Sequence, residues 1–157
     1  MVEAVANEWM EQILAEHRQL RTTVADLREY LDGPRPRPGE KGSHTWAARL
    51  SERILHLHDE LVRHFRFEED TDVVEELTIS HPEAAHEIQE VLDQHPVILR
   101  GIRQITTDIL TYSEGKRPED PHLRQRILSL LESLSEHEQR ETHLIQRLEY
   151  REFGTGE

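Results

Sequence analysis

The chain has 157 residues, with 19 Lys or Arg against 32 Asp or Glu and a formal net charge of −13. That length favours one domain with one core, and that charge repels nucleic acid and anionic membranes instead of gathering them. With no cysteine, a disulfide framework, thiolate-bound zinc and cysteine-held iron–sulfur clusters are all excluded, so any metal must be held by nitrogen and oxygen.

The opening residues, MVEAVANEWMEQ, carry acids and no apolar run. Nowhere do about 18 apolar residues follow one another, so neither a secretory signal nor a membrane span is expected and the chain reads as cytoplasmic. Proline and glycine then cut it into four long segments, at DGPRPRPGEKGS (32–43), ISHP (79–82) and SEGKRPEDP (113–121). The first of these breaks reads as an extended, exposed, flexible spacer. Helix-start signals attend each segment: Asn7 for the first, Ser43 for the second, Ser80 with Glu83 as a capping box for the third, and Asp120 followed by Pro121 for the fourth. The second helix is expected to run on through VVEEL to about residue 76. Strand-like alternation is absent and Leu, Glu, Arg and Gln dominate, so every segment is predicted helical.

Apolar positions spaced three and four apart give each helix a buried seam. The first carries Ile13, His17, Leu20, Val24, Leu27 and Leu31, and the second Leu50, Ile54, Leu57, Leu61, His64 and Glu68. The third carries Ala84, Ile88, Val91, His95, Ile98, Ile102, Ile105 and Ile109, and the fourth Leu123, Ile127, Leu130, Leu134, His137, Glu141, Leu144 and Leu148. Of these 28 positions, 22 are aliphatic, four are His and two are Glu. The predicted fold is all-α: a single antiparallel up-down-up-down four-helix bundle across residues 1–157, with its core from about 7 to 150.

Height along such a bundle tests the pattern independently. At about 1.5 Å per residue, His17 lies roughly 15 Å from one face, and His95, His64 and His137 roughly 18–20 Å from that same face. One histidine from each helix therefore meets the others in one layer, with Glu68 and Glu141 one turn away. A lone seam histidine is ordinarily a hydrogen-bonded core residue. Six ionisable groups buried with only one another for company cost several kcal/mol per unpaired charge, roughly, and a divalent or trivalent iron, manganese or zinc removes that cost. Two metals suit the inventory better than one, because His17, His64 and Glu68 form one set and His95, His137 and Glu141 another, and a carboxylate can bridge two ions. Of the Glu-x-x-His spacings that a ferritin-type site would use, Glu83–His86 lies off the seam and Glu119–His122 contains a proline and starts in a loop.

The arrangement of one His, then His-x-x-x-Glu, twice over, in EHRQL, HFRFEE, LDQHPVIL and HEQRE, resembles the hemerythrin-like, or HHE cation-binding, family over about residues 10–150. The resemblance implies an oxo- or hydroxo-bridged pair of irons that binds dioxygen, peroxide or related small molecules. His17 and His64 would hold one iron, His95 and His137 the other, and Glu68 and Glu141 would bridge them. Oxygen-carrying members have a fifth histidine one turn from the third-helix ligand and an aspartate as second bridge, whereas this chain has Val91 and Leu99 on those turns and Glu141 as the bridge. Fewer nitrogen donors imply a more open centre, which favours redox chemistry or detoxification of dioxygen, peroxide or nitric oxide over reversible oxygen carriage. The alternative is an iron- or oxygen-sensing module acting through a partner protein, so whether the chain is an enzyme, and what redox or regulatory partner it has, stay open.

Smaller expectations complete the reading. Pro96, after His95, should bend the third helix and free the carbonyl of Leu92 to accept an outer N–H from a ligand histidine. Leu20, Leu61, Ile98 and Leu134 should line a dry pocket beside the centre. Within HFRFEED, Phe65 and Phe67 are flanking bulk, Arg66 faces outward, and Glu69 and Asp70 face solvent. His44, His56, His58, His81, His86, His122 and His143 fall on the surface.

Overall fold

The computed structural model describes the backbone of residues 2–118 and 120–154 and the side chains of residues 4–118 and 120–149. Among these there is no strand. The elements are α1 (Val2–Asp32), α2 (Ser43–Glu68), α3 (Thr71–Ser80), a single 3-10 turn (Pro82–Ala84), α4 (Ala85–Ser113) and α5 (Leu123–Gly154). The long helices pack as a closed cycle, α1 on α2, α2 on α4, α4 on α5 and α5 on α1, while the short α3 lies against α1 and α4.

Helix ends depart from the sequence expectations at several points. Asn7 lies inside α1, which is already helical at Val2. Ser43 is the first residue of α2 and caps nothing; the N-cap is Gly42, whose φ of 92° only glycine adopts without strain. Nor do Ser80 and Glu83 form a capping box, because Ser80 ends α3 and a 3-10 turn begins at Pro82. Asp120 does act as a start signal, its side chain accepting from the backbone N–H of His122 at 2.8 Å just before α5 begins. Glu119 lies outside the described residues.

The largest correction is to the second helix, which stops at Glu68 instead of running to 76. Asp70 turns out of helical conformation at φ −56° and ψ 110°, and its carboxylate accepts from the N–H groups of Asp72 and Val73, which starts α3. Leu61, His64 and Glu68 keep the three-and-four spacing, but the next buried residue is Val73, five further on. That slip of register is the local signature of the break.

Two apolar clusters fill the interior. The larger joins Leu20, Leu27, Leu57, Leu61, Ile102 and Leu134 among others, and the smaller joins Met10, Ile13, Val73, Leu77, Val91 and Leu144 with their neighbours. Of the predicted seam, only Val24 and Leu130 are merely half-buried; on α5 the buried neighbour is Leu131. Leu130 still packs at the side, where a Cβ on Gly101 would meet its Cδ1 at 3.3 Å, so the glycine eases the approach of α4 to α5. Trp9 donates its indole N–H to the carbonyl of Phe67 at 2.8 Å and stacks on that ring, pinning the end of α2 to α1.

Candidate metal centre

Between the two apolar clusters lie His17 on α1, His64 and Glu68 on α2, His95 on α4, and His137 and Glu141 on α5, each no more than 4% exposed. The structure thus brings together all six side chains singled out from the sequence. They form two overlapping groups, His17, His64, Glu68 and Glu141, and Glu68, His95, His137 and Glu141. Within each group the ligating atoms lie within 4.8 Å of one another.

The carboxylates belong to both groups because each divides its two oxygens between them. Glu68 Oε1 faces the Nε2 atoms of His64, in close contact, and of His17, at 3.8 Å, while its Oε2 faces His95 Nε2 at 3.0 Å. Glu141 Oε1 faces His17 Nε2 at 2.6 Å, and its Oε2 faces His137 Nε2 at 3.3 Å and His95 Nε2 at 3.7 Å. Several of these atoms meet at ion-pair distance without the alignment of a hydrogen bond: His64, His95 and His137 Nε2, both oxygens of Glu68 and Oε2 of Glu141 are buried with no hydrogen-bond partner. Lone pairs that converge in this way without pairing suit a cation, so the donor set fits metal ions of the kind bound by imidazole and carboxylate.

Every histidine has its other ring nitrogen occupied. Nδ1 of His64 lies 2.8 Å from Glu16 Oε2, that of His95 2.9 Å from Glu69 Oε1, that of His137 2.7 Å from Gln94 Oε1, and that of His17 3.1 Å from Thr142 Oγ1. A carboxylate can only accept, so Nδ1 of His64 and His95 carries the hydrogen and Nε2 is the atom left for a metal. Glu69 is exposed, as the sequence suggests, and also bonds His95. One expectation falls here: the Leu92 carbonyl receives none of these N–H groups, because side chains already take all four. α4 runs uninterrupted through Pro96.

Electrostatics agree with the packing. Burial lowers the imidazoles of His17, His64 and His95, but the carboxylates of Glu141 and Glu68 outweigh it and push them up to about 9, 11 and 9 respectively. Glu141 is raised by burial yet held well below the usual carboxylate range by the four histidines around it. Without metal, His17, His64 and His95 are thus held as imidazolium partners of the carboxylate of Glu141, and a metal ion would bind by displacing those protons.

The walls hold what the sequence did not reveal. Phe65, only 2% exposed, stacks on the His95 ring at 3.9 Å and 4°, well beyond flanking bulk. Glu138 is buried on α5, and burial lifts its carboxyl up to about 7 against the pull of His17 and His64. His81, placed on the surface from the sequence, is buried where α3 meets the 3-10 turn, and His58 is half-buried. Leu20, Leu61, Ile98 and Leu134 do pack above the histidines, but the apolar cavity that touches the centre lies on the other side. It has about 40 Å³, and Ile13, Leu77, Val91 and Leu144 line it beside Glu68 and Glu141.

The family profile described as the hemerythrin HHE cation binding domain matches residues 10–149. The chain belongs to that family. Neither a curated protein nor a solved structure matches it. This hemerythrin-like domain therefore carries a buried His/Glu cluster compatible with metal binding, and no helix among the described residues is long and apolar enough to cross a membrane.

Proposed function

We propose that this chain is a cytoplasmic non-haem di-iron protein that binds dioxygen, peroxide or nitric oxide at an open, carboxylate-bridged centre and uses it for redox chemistry or detoxification. The cycle of long helices is read as an antiparallel up-down-up-down four-helix bundle, with His17 and His64 as ligands of one iron, His95 and His137 of the other, and Glu68 and Glu141 as bridges. The observation that carries this reading is the division of both carboxylates: each presents one oxygen to each histidine pair. A pair of irons held there supplies electrons for reducing a small ligand and free positions at which to bind one.

The protein's own residues do the rest. Glu16, Glu69, Gln94 and Thr142 fix the four rings so that Nε2 points inward. Leu20, Leu61, Ile98 and Leu134 exclude water on one side. Val91, on one of the two turns beside His95 that carry no histidine, lines the cavity beside the bridges, which supports an open centre. Metal analysis with an absorption spectrum on the purified protein tests the reading. Two irons per chain with near-ultraviolet charge-transfer bands are expected; less than one iron, or zinc alone, would overturn it.

A sensing module is the second reading, favoured by Glu69. This residue bonds His95 and sits at the break between α2 and α3, so loss of metal would be felt by a short helix at the surface. Steady peroxide consumption without a partner supports the first reading, and iron-dependent protease protection of α3 without turnover supports the second.

A further inference from the structure

The two halves of the chain repeat one pattern, a histidine followed on the next long helix by His-x-x-x-Glu, yet the residue after the second histidine differs. In the first half it is Phe65, whose ring lies flat on His95 of the second half. In the second half it is Glu138. By the same logic it should face His17 of the first half, and the imidazoles of His17 and His64, with Arg21, are indeed the positive neighbours of its carboxyl. Its place on α5 agrees, since Glu138 precedes by one turn Thr142, which bonds His17, and precedes Glu141 by three residues.

Glu138 is 6% exposed, and its Oε1 is buried with no hydrogen-bond partner. An aliphatic residue would fill such a position at lower cost, because a buried carboxylate without a partner forfeits its hydration. Glu138 belongs to neither of the two groups of converging ligand atoms. Phe65 leaves the other pair no such oxygen.

We propose that Glu138 supplies a further carboxylate to the metal held between His17 and His64, so that the two metals are coordinated unequally and the small ligand binds at the one beside Phe65. The assignment rests on the di-metal reading above. It predicts that the site with His17 and His64 is the tighter of the two.

Anaerobic titration with cobalt(II), competed against a chelator and followed by absorption, tests it on the full chain and its Glu138→Gln variant. Wild type should bind two cobalt ions with unequal affinities. In Glu138→Gln the first equivalent should bind roughly tenfold or more weakly, with a changed visible spectrum, while the second keeps its affinity and its bands. The metal-free variant should melt no lower than wild type, since a buried acid has been neutralised, and its gain in melting temperature with cobalt should shrink. Two cobalt ions bound with wild-type affinities and spectra in Glu138→Gln would overturn this assignment alone. A wild type that binds one cobalt or none would overturn the di-metal reading and this assignment with it.

Discussion

The two apolar clusters that enclose the histidine layer are built differently. The larger is made by four long helices, and Leu50, Leu57, Leu61, Ile102, Ile109 and Leu131 in it are wholly buried. The smaller is closed partly by the short α3, borrows Trp9, Phe67 and Leu92 from its edge, and keeps a cavity of about 40 Å³ against the two carboxylates. A dense core holds ligands in place, whereas a looser one admits something to them. On the proposed function, the first cluster should carry stability and the second access, with the histidine layer depending on both.

The largest expected effect comes from breaking the layer itself. Glu141→Ala removes the carboxylate that meets all four histidines, so on the di-iron proposal both metals should be lost or bound far more weakly. Wild type at a free metal concentration a hundred times its Kd should gain about 2.7 kcal/mol of stability for each metal bound, and the variant should gain almost none. Calorimetry with and without iron(II) checks this. Equal stabilisation of the two proteins would show that metal is held elsewhere.

Next is a test of the dense cluster alone. Leu57→Ala empties a wholly buried site and should cost about 2–5 kcal/mol in a denaturant titration. Metal stoichiometry should stay at the wild-type value, because Leu57 lies two turns from His64. A loss of metal in step with stability would mean that the two regions are not separable.

Acidity sharpens the comparison in the metal-free protein. His17, His64 and His95 have pKa values raised from 6.5 to about 9, 11 and 9, so their contribution to stability is complete below 6.5 and is lost as pH rises through 9 to 11. Glu141 is depressed below 4.5, so its contribution is present above 4.5 and is lost as pH falls through its lower folded value. Metal-free stability should therefore begin to decline once pH passes about 6.5 and go on falling through 9 to 11. Binding of metal near neutral pH should release protons, measurable as a dependence of binding heat on buffer ionisation. A metal-free protein whose urea midpoint is unchanged between pH 7 and 10 would contradict the ion pairing.

How far this arrangement was legible follows from the same physics. His17, His64, Glu68, His95, His137 and Glu141 stood out because a seam of aliphatic residues makes any polar intruder visible, and helical rise places intruders at one height. Phe65 and Glu138 were hidden because each flanks a ligand off the seam, and whether such a position is buried depends on the neighbouring helix. Glu69 was hidden for another reason. Its pairing with His95 joins residues 26 apart in sequence, and an exposed acid at a helix end normally reads as solvated. The break at Asp70 could have been read, since the five-residue step from Glu68 to Val73 and an Asp before two N–H groups are both local signals. The caps at Asn7, Ser43 and Ser80 failed because tertiary packing extends or shortens helix ends regardless of a single capping residue.

The smallest effect on stability, and the most specific to access, should come from filling the cavity. Val91 is buried at its wall, and Val91→Phe adds a ring on the side of Glu68 and Glu141 with an overpacking cost of about 1–3 kcal/mol. Both metals should bind as in wild type, since no ligand or outer hydrogen-bond partner is touched. If the looser cluster is the way in, stopped-flow mixing of the reduced protein with nitric oxide or dioxygen should be slowed several-fold, while Leu61→Met in the dense cluster leaves the rate unchanged. The opposite result, with Leu61→Met altering the rate and Val91→Phe silent, would move the route to the histidine side of the layer, where a surface groove between α1 and α2 reaches His64 past Glu16.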